Sequence, residues 1–252
     1  MTIFRALVCA ALTLPGYEAA AGGFSNFELQ TAGKPYAYSK AKAPDGSKAE
    51  RFELHVGDCP KVTGDCRADR ERIEKSEQPP ASKVGSEYWY HFSVFVPKDW
   101  PSTGPVNTKL GQFHQKGEGK PPVLFQLDDR KYEFELSNPS QKQTDPMNPV
   151  RSLSNITLKP SSQMRGVWTS ILVHAKWSRR QDGFIKVWVD GQQKADLSGP
   201  NVDRDQPVYF KYGIYRSFVS RYGGKSYPTL IAWFREINRG KTRASVEPRE
   251  RN

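Results

Sequence analysis

The sequence predicts an all-β protein that folds as a single jelly-roll β-sandwich. Runs of alternating apolar and polar residues of strand length follow one another, and helical periodicity is scarce. The chain has 252 residues, of which 37% are hydrophobic and 12% aromatic, enough for the core of one large all-β domain. The sequence shows neither an internal repeat nor an interdomain linker. About a dozen strands without helices in one chain favour a sandwich of the jelly-roll type.

The strand pattern recurs along most of the chain. It is clearest in 87–96, where Tyr88, Tyr90 and Phe92 face one way and Pro97 ends the strand. Residues 137–149 are polar and contain prolines, which predicts a loop at the rim of a cleft. The predicted strands, in chain order, are 48–56, 70–74, 87–96, 110–114, 123–127, 132–136, 168–177, 184–189, 208–215 and 229–236.

The first 21 residues have the composition of a secretory signal peptide. Arg5 supplies a positive start, residues 6–14 are apolar, and Ala19-Ala20-Ala21 offers a small-residue cleavage site. We therefore expect a secreted or periplasmic protein, with the sandwich domain over 22–238 and a flexible charged tail over 239–252. The sequence contains no apolar run of about 18 residues, so it predicts no membrane span.

Two cysteines remain in the predicted mature chain. Cleavage would remove Cys9 and leave Cys59 and Cys66, seven positions apart. In an oxidising compartment this spacing predicts a disulfide that closes a short loop, worth about 2–3 kcal/mol in a chain-entropy treatment. A zinc site is the less favoured interpretation, because no other cysteine survives and the nearest histidine, His55, lies on a predicted strand.

The chain is strongly basic, with 38 Lys and Arg against 27 Asp and Glu and a net charge of +11. A basic exported protein could bind nucleic acid, anionic lipid or a polyanionic glycan. The basic residues are scattered over strands and loops, which argues against a nucleic-acid-binding tail. We expect an anionic polysaccharide as the partner, and neither nucleic acid nor a membrane.

Three predicted strands carry chemically active side chains on one face each. These side chains are Gln112 and His114 in 110–114, Arg70, Arg72 and Glu74 in 70–74, and Tyr209, Lys211 and Tyr215 in 208–215. Gly213 lies between Lys211 and Tyr215 and is expected to leave room for a ligand beside the backbone. Guanidinium, amide, imidazole, ammonium and phenol groups together suit an anionic sugar.

These residues resemble the motifs of a known enzyme family. Gln112-Phe113-His114 resembles the Gln-x-His motif of jelly-roll alginate lyases, and 209–215 is similar to their Tyr-Phe-Lys-x-Gly-x-Tyr motif. Arg72-Ile73-Glu74 resembles the start of their Arg-x-Glu-x-Arg motif, but Ser76 stands in place of the second arginine. The resemblance implies that the chain is a lyase acting on a polysaccharide that contains uronic acid.

The wider chain, from about residue 24 to residue 238, resembles the group of heparin lyase I and glucuronan lyase. Residues 168–191 also resemble the pattern of concanavalin-like jelly rolls. The resemblance implies that no cofactor is required, and structural calcium is an option because relatives in this group carry it. We assign no acidic loop to calcium, and we expect a monomer.

Eliminative cleavage of a uronate polymer requires a group that neutralises the carboxylate, a base for the C5 proton and an acid for O4. The resemblance implies that Gln112, His114 and Tyr215 form the catalytic set, and Arg72 would help Gln112 to meet the carboxylate. Tyr215 would act as base, acid or both, with His114 as the base or as a group that tunes Tyr215. Lys211 would lower the pKa of the phenol by its charge.

Further residues are expected to bind substrate around this set. They are Arg70, Tyr209, Arg216 and His91. His91 shares a strand face with Trp89 and Ser93, so it would line the groove.

Two other functions fit parts of the pattern. A jelly-roll lectin for acidic glycans would need the basic and aromatic residues but not the combination of Gln112, His114 and Tyr215. A glycoside hydrolase would instead use Glu133 and Glu135, which share a strand face. The substrate also stays open: glucuronate and mannuronate carry H5 and O4 on the same face, whereas iduronate and guluronate carry them on opposite faces.

Overall fold

The described chain is built almost entirely from β-strands. The computed structural model describes residues 23–141, 150–224 and 226–248. Its helical segments are short 3-10 turns, at Lys61–Thr63, Asp65–Ala68, Ser161–Gln163, Val219–Arg221 and Arg243–Ser245. The strands are β1 (Phe27–Gln30), β2 (Tyr38–Lys42), β3 (Lys48–Leu54), β4 (Arg70–Glu77), β5 (Glu87–Phe95), β6 (Thr108–Gln115), β7 (Val123–Leu127), β8 (Lys131–Ser137), β9 (Ser152–Pro160), β10 (Trp168–Lys176), β11 (Phe184–Val189), β12 (Gln192–Ser198), β13 (Val208–Ser217) and β14 (Leu230–Gly240).

The strands form two antiparallel sheets of seven strands each. Sheet A has the order β1-β4-β13-β6-β7-β8-β9, and sheet B has the order β12-β11-β10-β5-β14-β3-β2. In sheet A, β13 lies between β4 and β6, so three segments that are distant in the sequence become neighbours. The predicted all-β sandwich is confirmed.

The strands that the sequence pattern missed are the edge strands of both sheets. β1 and β9 are the edges of sheet A, and β12 and β2 are the edges of sheet B. In β9, side chains alternate between exposed and half-buried, with Leu158 as the buried exception. Edge strands are often short and polar, which protects them from pairing with other chains, so their apolar alternation is weak.

Aromatic side chains fill the space between the two sheets. Phe92 of sheet B and Phe113 and Phe210 of sheet A are almost completely buried. The Phe210 ring centroid lies 5.1 Å from that of Phe92 and 5.0 Å from that of Phe113. Burial of such a side chain contributes about 1.5–3 kcal/mol to folding, so the inner faces hold the sandwich together.

Regular secondary structure continues beyond residue 238, the predicted end of the domain. β14 continues to Gly240, and the Val246 side chain is completely buried. Within the segment expected as a flexible tail, Val246 therefore packs on the sandwich, while residues 241–245 and 248 are exposed. Residues 249–252, the predicted signal peptide 1–21 and the segment 142–149 lie outside the described residues. No helix in the described ranges is long and apolar enough to cross a membrane.

A disulfide joins Cys59 and Cys66, as predicted, with their Cα atoms 5.2 Å apart. It closes the loop that leads into β4, and the turn Asp65–Ala68 ends directly before that strand. The loop therefore fixes the approach of the chain to the face that carries Arg70 and Arg72.

Candidate active site

The order β4-β13-β6 brings the predicted residues of three distant segments side by side. The cross-strand neighbours are Tyr215 with Arg72 and with Lys109, Lys211 with Gln112, and Tyr209 with His114. Adjacent strands lie about 4.8 Å apart, so these side chains are within direct reach of one another. The sequence motifs thus meet on one face of sheet A.

A cleft of about 270 Å³ opens over these strands. Its lining includes Arg70, Arg72, Gln112, His114 and Tyr215. The imidazole and the phenol therefore face the same space, as the sequence predicts. A sugar bound in this cleft would meet an amide, an imidazole, a phenol and two guanidinium groups.

Glu74 lies beneath the cleft and holds three of its residues. Its carboxylate accepts hydrogen bonds from Gln112 Nε2 at 2.6 Å and Lys211 Nζ at 2.7 Å, and it lies 3.2 Å from Arg72 Nη1. Glu74 is fully buried. Burial raises its pKa, but Lys211 and Arg72 outweigh burial and hold the pKa below its ordinary value. Glu74 is therefore an ionised anchor that orients Gln112.

Arg72 is fixed by the loop that the disulfide closes. Its Nε and Nη2 atoms donate to the two carboxylate oxygens of Asp65, at 2.5 and 2.7 Å. The guanidinium carbon lies 4.4 Å from the centre of the Tyr215 ring. Burial lowers the pKa of Arg72, but the carboxylates of Glu74 and Asp65 raise it by more, so Arg72 stays charged beside the phenol.

His114 is held as a neutral imidazole. Its Nδ1–H donates to the Gln115 carbonyl oxygen at 2.6 Å, which leaves the lone pair on Nε2. The ring stacks against Tyr209 with 5.3 Å between centroids. Burial, assisted by the positive charge of Lys211, lowers the pKa of His114 to about 4. At neutral pH the imidazole can accept a proton.

Tyr215 is held as a protonated phenol. Its side chain is 8% exposed, and burial raises its pKa, while Arg72 and Arg70 oppose that rise. Lys211, which is expected from the sequence to lower this pKa, is not among the charges that affect it most strongly. The Lys211 ammonium binds Glu74 instead, and arginines of β4 supply the positive charge near the phenol.

Lys211 and Tyr209 lie behind the cleft rather than at its surface. Lys211 is 2% exposed, and burial lowers its pKa to about 8 despite the ion pair with Glu74. Tyr209 supports the His114 ring through the stacking contact. Both residues therefore position others instead of facing the space that a sugar would fill.

Gly213 has a different role from the one expected. Its φ is +135°, and a Cβ atom there would lie 2.3 Å from the Ile73 carbonyl oxygen. The missing side chain therefore lets β13 approach β4 closely and leaves no room for a ligand.

A β-bulge in β6 brings an unpredicted lysine into the cleft. The register between β6 and β7 shifts between Lys109 and Gly111, and Leu110 packs in the core. Strict alternation would place Leu110 beside Gln112 and turn Lys109 inward. The extra residue reverses this, so Lys109 lines the cleft.

Two expected substrate-binding residues lie elsewhere. Arg216 is completely buried, where it pairs with Glu71 and stacks 3.7 Å from the Tyr227 ring centre. It follows Ile214 in alternation and so points into the sandwich. His91 belongs to sheet B, where its Nε2 meets Ser170 Oγ at 2.8 Å. Neither lines the cleft, because Arg216 faces inward and His91 is on the other sheet.

Glu133 and Glu135 do not form a free carboxylate pair. Lys131 binds Glu133, Lys120 binds Glu135, and Gln126 Nε2 lies between the two carboxylates, at 3.3 and 2.8 Å. Burial raises the pKa of Glu135, but Lys120 more than offsets this, and the net shift is downward. A glycosidase acid needs the opposite shift, so the geometry disfavours a hydrolase.

Sequence reasoning missed Lys109 and Asp65 and gave Glu74 no role. No motif marks Asp65, which lies in a loop, and the bulge hides Lys109 from any argument based on alternation. The sequence did indicate that Glu74 lies near the site, because it shares a strand face with Arg72. Over the described residues, no group of three or more His, Cys, Asp or Glu side chains is arranged to hold a metal ion.

The family follows from a comparison with known protein families. A model described as polysaccharide lyase matches residues 19–238. The chain belongs to the polysaccharide lyase family. Because the members of this family are lyases, the interpretation of the chain as a lectin without catalytic activity is set aside. No curated protein sequence matches the chain.

Solved structures share the fold of the lyase. The endo-β-1,4-glucuronan lyase of the fungus Trichoderma reesei is 17% identical, with a TM-score of 0.68, over 88% of this chain and 93% of that one. An alginate lyase from Pseudomonas aeruginosa is 17% identical, with a TM-score of 0.56, over 86% and 98% of the two chains. An alginate lyase from a Chlorella virus is 14% identical, with a TM-score of 0.53, over 81% and 89%. At this identity the likeness concerns the fold.

Proposed function

We propose that the lyase cleaves a polysaccharide containing uronic acid by β-elimination in the cleft of sheet A. One observation carries the proposal: a neutral imidazole, a protonated phenol and an anchored amide line the same cleft. These groups match the three requirements of the reaction, which are a base, an acid and a partner for the carboxylate.

Gln112 and Arg72 neutralise the substrate carboxylate. The Gln112 amide has two N–H groups, of which one binds Glu74, so the other remains for the sugar. Arg72 adds a charge that Asp65 and Glu74 hold in place. A neutralised carboxylate withdraws charge from C5 as the proton leaves, which lowers the barrier to elimination.

His114 acts as the base and Tyr215 as the acid. Nε2 of His114 takes the C5 proton, the electrons form the C4–C5 double bond, the bond from C4 to O4 breaks, and the Tyr215 hydroxyl gives its proton to O4. The pKa directions support these roles, because the imidazole is neutral and the phenol protonated at neutral pH. The roles suit a sugar with H5 and O4 on opposite faces, as in guluronate or iduronate.

The lyase acts outside the cytoplasm in this proposal. The signal-like composition of residues 1–21 and the disulfide between Cys59 and Cys66 support export. Glucuronan, alginate, heparin and hyaluronan are the candidate polymers. The expected monomer stays a prediction, which light scattering on the purified mature protein tests.

The test is the ultraviolet absorbance of the unsaturated product during incubation with each of the four polymers. Tyr215→Phe should lower turnover on the best substrate by about 10²-fold or more, the scale of a positioned acid or base. Gln112→Ala should lower it as well. Lys194→Ala, at an exposed position on β12, is the control for loss of a positive charge. No product from any polymer would refute the proposal, and full activity of Tyr215→Phe would refute the role of the phenol.

A further inference from the structure

Lys109 is a buried ammonium ion in the cleft. Its side chain is 8% exposed, and Nζ donates to Ser217 Oγ at 3.0 Å and to the Asn107 carbonyl oxygen at 3.2 Å. Both acceptors are neutral. Throughout the part of the chain that the structure describes, no carboxylate oxygen lies within 4.0 Å of this nitrogen. A charge withdrawn from water in this way is normally paired, so a counter-ion is expected from outside.

The nearby carboxylates already have other partners. Glu135, whose charge favours the ammonium form of Lys109, is bound by Lys120, and Glu74 is bound by Lys211. Lys120 and Arg70 add positive charge near Lys109. Burial lowers the pKa of Lys109 to about 8, in agreement with an ammonium that lacks a full counter-ion. This side of the cleft thus has a surplus of positive charge.

The position of Lys109 defines which part of a bound polymer it would meet. Arg72, Tyr215, Lys109 and Gln126 are cross-strand neighbours, in that order, on β4, β13, β6 and β7. The Lys109 nitrogen lies 5.8 Å from the centre of the Tyr215 ring. A chain laid across the strands with one sugar at Tyr215 would place an adjoining sugar over Lys109, one strand spacing of about 4.8 Å away.

We propose that Lys109 binds the carboxylate of the uronate next to the one that is cleaved, so that the lyase prefers polymers with acidic groups on consecutive sugars. The inference rests on the proposed function, since it takes Tyr215 as the position of cleavage. A sulfate ester on the adjoining sugar offers the same oxyanion chemistry. The carboxylate and the sulfate ester occur in different polymers, so probes that carry one or the other on the adjoining sugar distinguish them.

The test uses three matched α-1,4-linked tetrasaccharides, chosen because guluronate carries H5 and O4 on opposite faces. One consists of guluronate throughout; in the others, gulose or gulose 6-sulfate replaces alternate guluronates. Calorimetry measures the Kd of each probe in the Tyr215→Phe background, in which turnover is about 10²-fold slower or more. We expect Lys109→Met to weaken binding of the all-acidic probe by about 30-fold and to leave the gulose-containing probe within about threefold. Lys194→Met should leave all three values unchanged.

Each other outcome has a definite meaning. Equal weakening of all three probes would assign Lys109 a structural role, and unchanged affinities or no binding of the all-acidic probe would also overturn the inference. A loss confined to the sulfated probe would overturn the carboxylate in favour of a sulfate ester. The melting temperature of Lys109→Met should not fall, because the change removes an uncompensated charge and keeps the size of the side chain. Product formation by the wild type tests the proposed function in a separate experiment. A failure of the proposed function is therefore distinguished from a failure of the role assigned to Lys109.

Discussion

Replacing Glu74 by glutamine is the sharpest test of the charge arrangement beneath the cleft. The substitution keeps the shape of the side chain and removes the charge that Lys211 and Arg72 share. Arg72 keeps its two bonds to Asp65, so the main loss falls on Lys211, which is 2% exposed. Breaking a buried ion pair by removing one partner costs about 3–5 kcal/mol of unfolding free energy.

The expected loss is large enough to measure as a melting temperature. For a domain of this size, 1 kcal/mol corresponds to about 2–4 °C, so Glu74→Gln should lower Tm by about 6–20 °C. Turnover should fall by about 10²-fold even at temperatures where the variant is folded, because Gln112 loses its charged anchor. The matched control is Glu87→Gln, since Glu87 is exposed and pairs with His174 on sheet B. A surface pair of this kind contributes about 0–1 kcal/mol.

A second substitution separates charge from shape. Adding Lys211→Met to Glu74→Gln removes the stranded ammonium, so stability should return to within about 1–2 kcal/mol of the wild type, while turnover stays low. A melting temperature of Glu74→Gln within about 2 °C of the wild type would refute the reasoning, because a buried ion pair cannot be lost at so small a cost. Recovery of turnover in the double variant would refute the anchoring role of Glu74.

Two further predictions follow from the site. Because the pKa of His114 is lowered to about 4, kcat/KM should stay constant down to about pH 5 and fall as pH decreases through about 4, where the base becomes protonated; a pH profile with its midpoint near 6.5 would contradict this. Gly213→Ala should lower the free energy of unfolding by at least about 1–3 kcal/mol, since it requires a φ of +135° and a contact of 2.3 Å with the Ile73 carbonyl oxygen. Chemical denaturation measures this loss of stability. The control is Gly223→Ala, where a Cβ atom has no neighbour within 4 Å. Equal stability of the two variants would contradict the role of Gly213 in the close approach of β13 to β4.

The sequence by itself determined the sandwich and the core of the site. Alternation located the interior strands of both sheets because most residues buried between two layers are apolar, and this requirement acts residue by residue along each strand. The motifs also placed Gln112 with His114 and Lys211 with Tyr215, because residues two or four positions apart on a strand share a face. The pattern did not predict the edge strands. Each of them has a neighbouring strand on one side only, which weakens the requirement for buried apolar residues.

Tertiary structure decided which charges meet. Lys211 and Gln112 lie on strands that become neighbours of β4 and of each other only through the order β4-β13-β6, so the sequence did not show that Glu74 of β4 binds both of them. The bulge at Leu110 turned Lys109 into the cleft, and the inward face of β13 took Arg216 away from it. Local alternation specifies the face of a side chain only while the register is regular. Partners, and hence pKa values, depend on distances across strands that folding alone establishes.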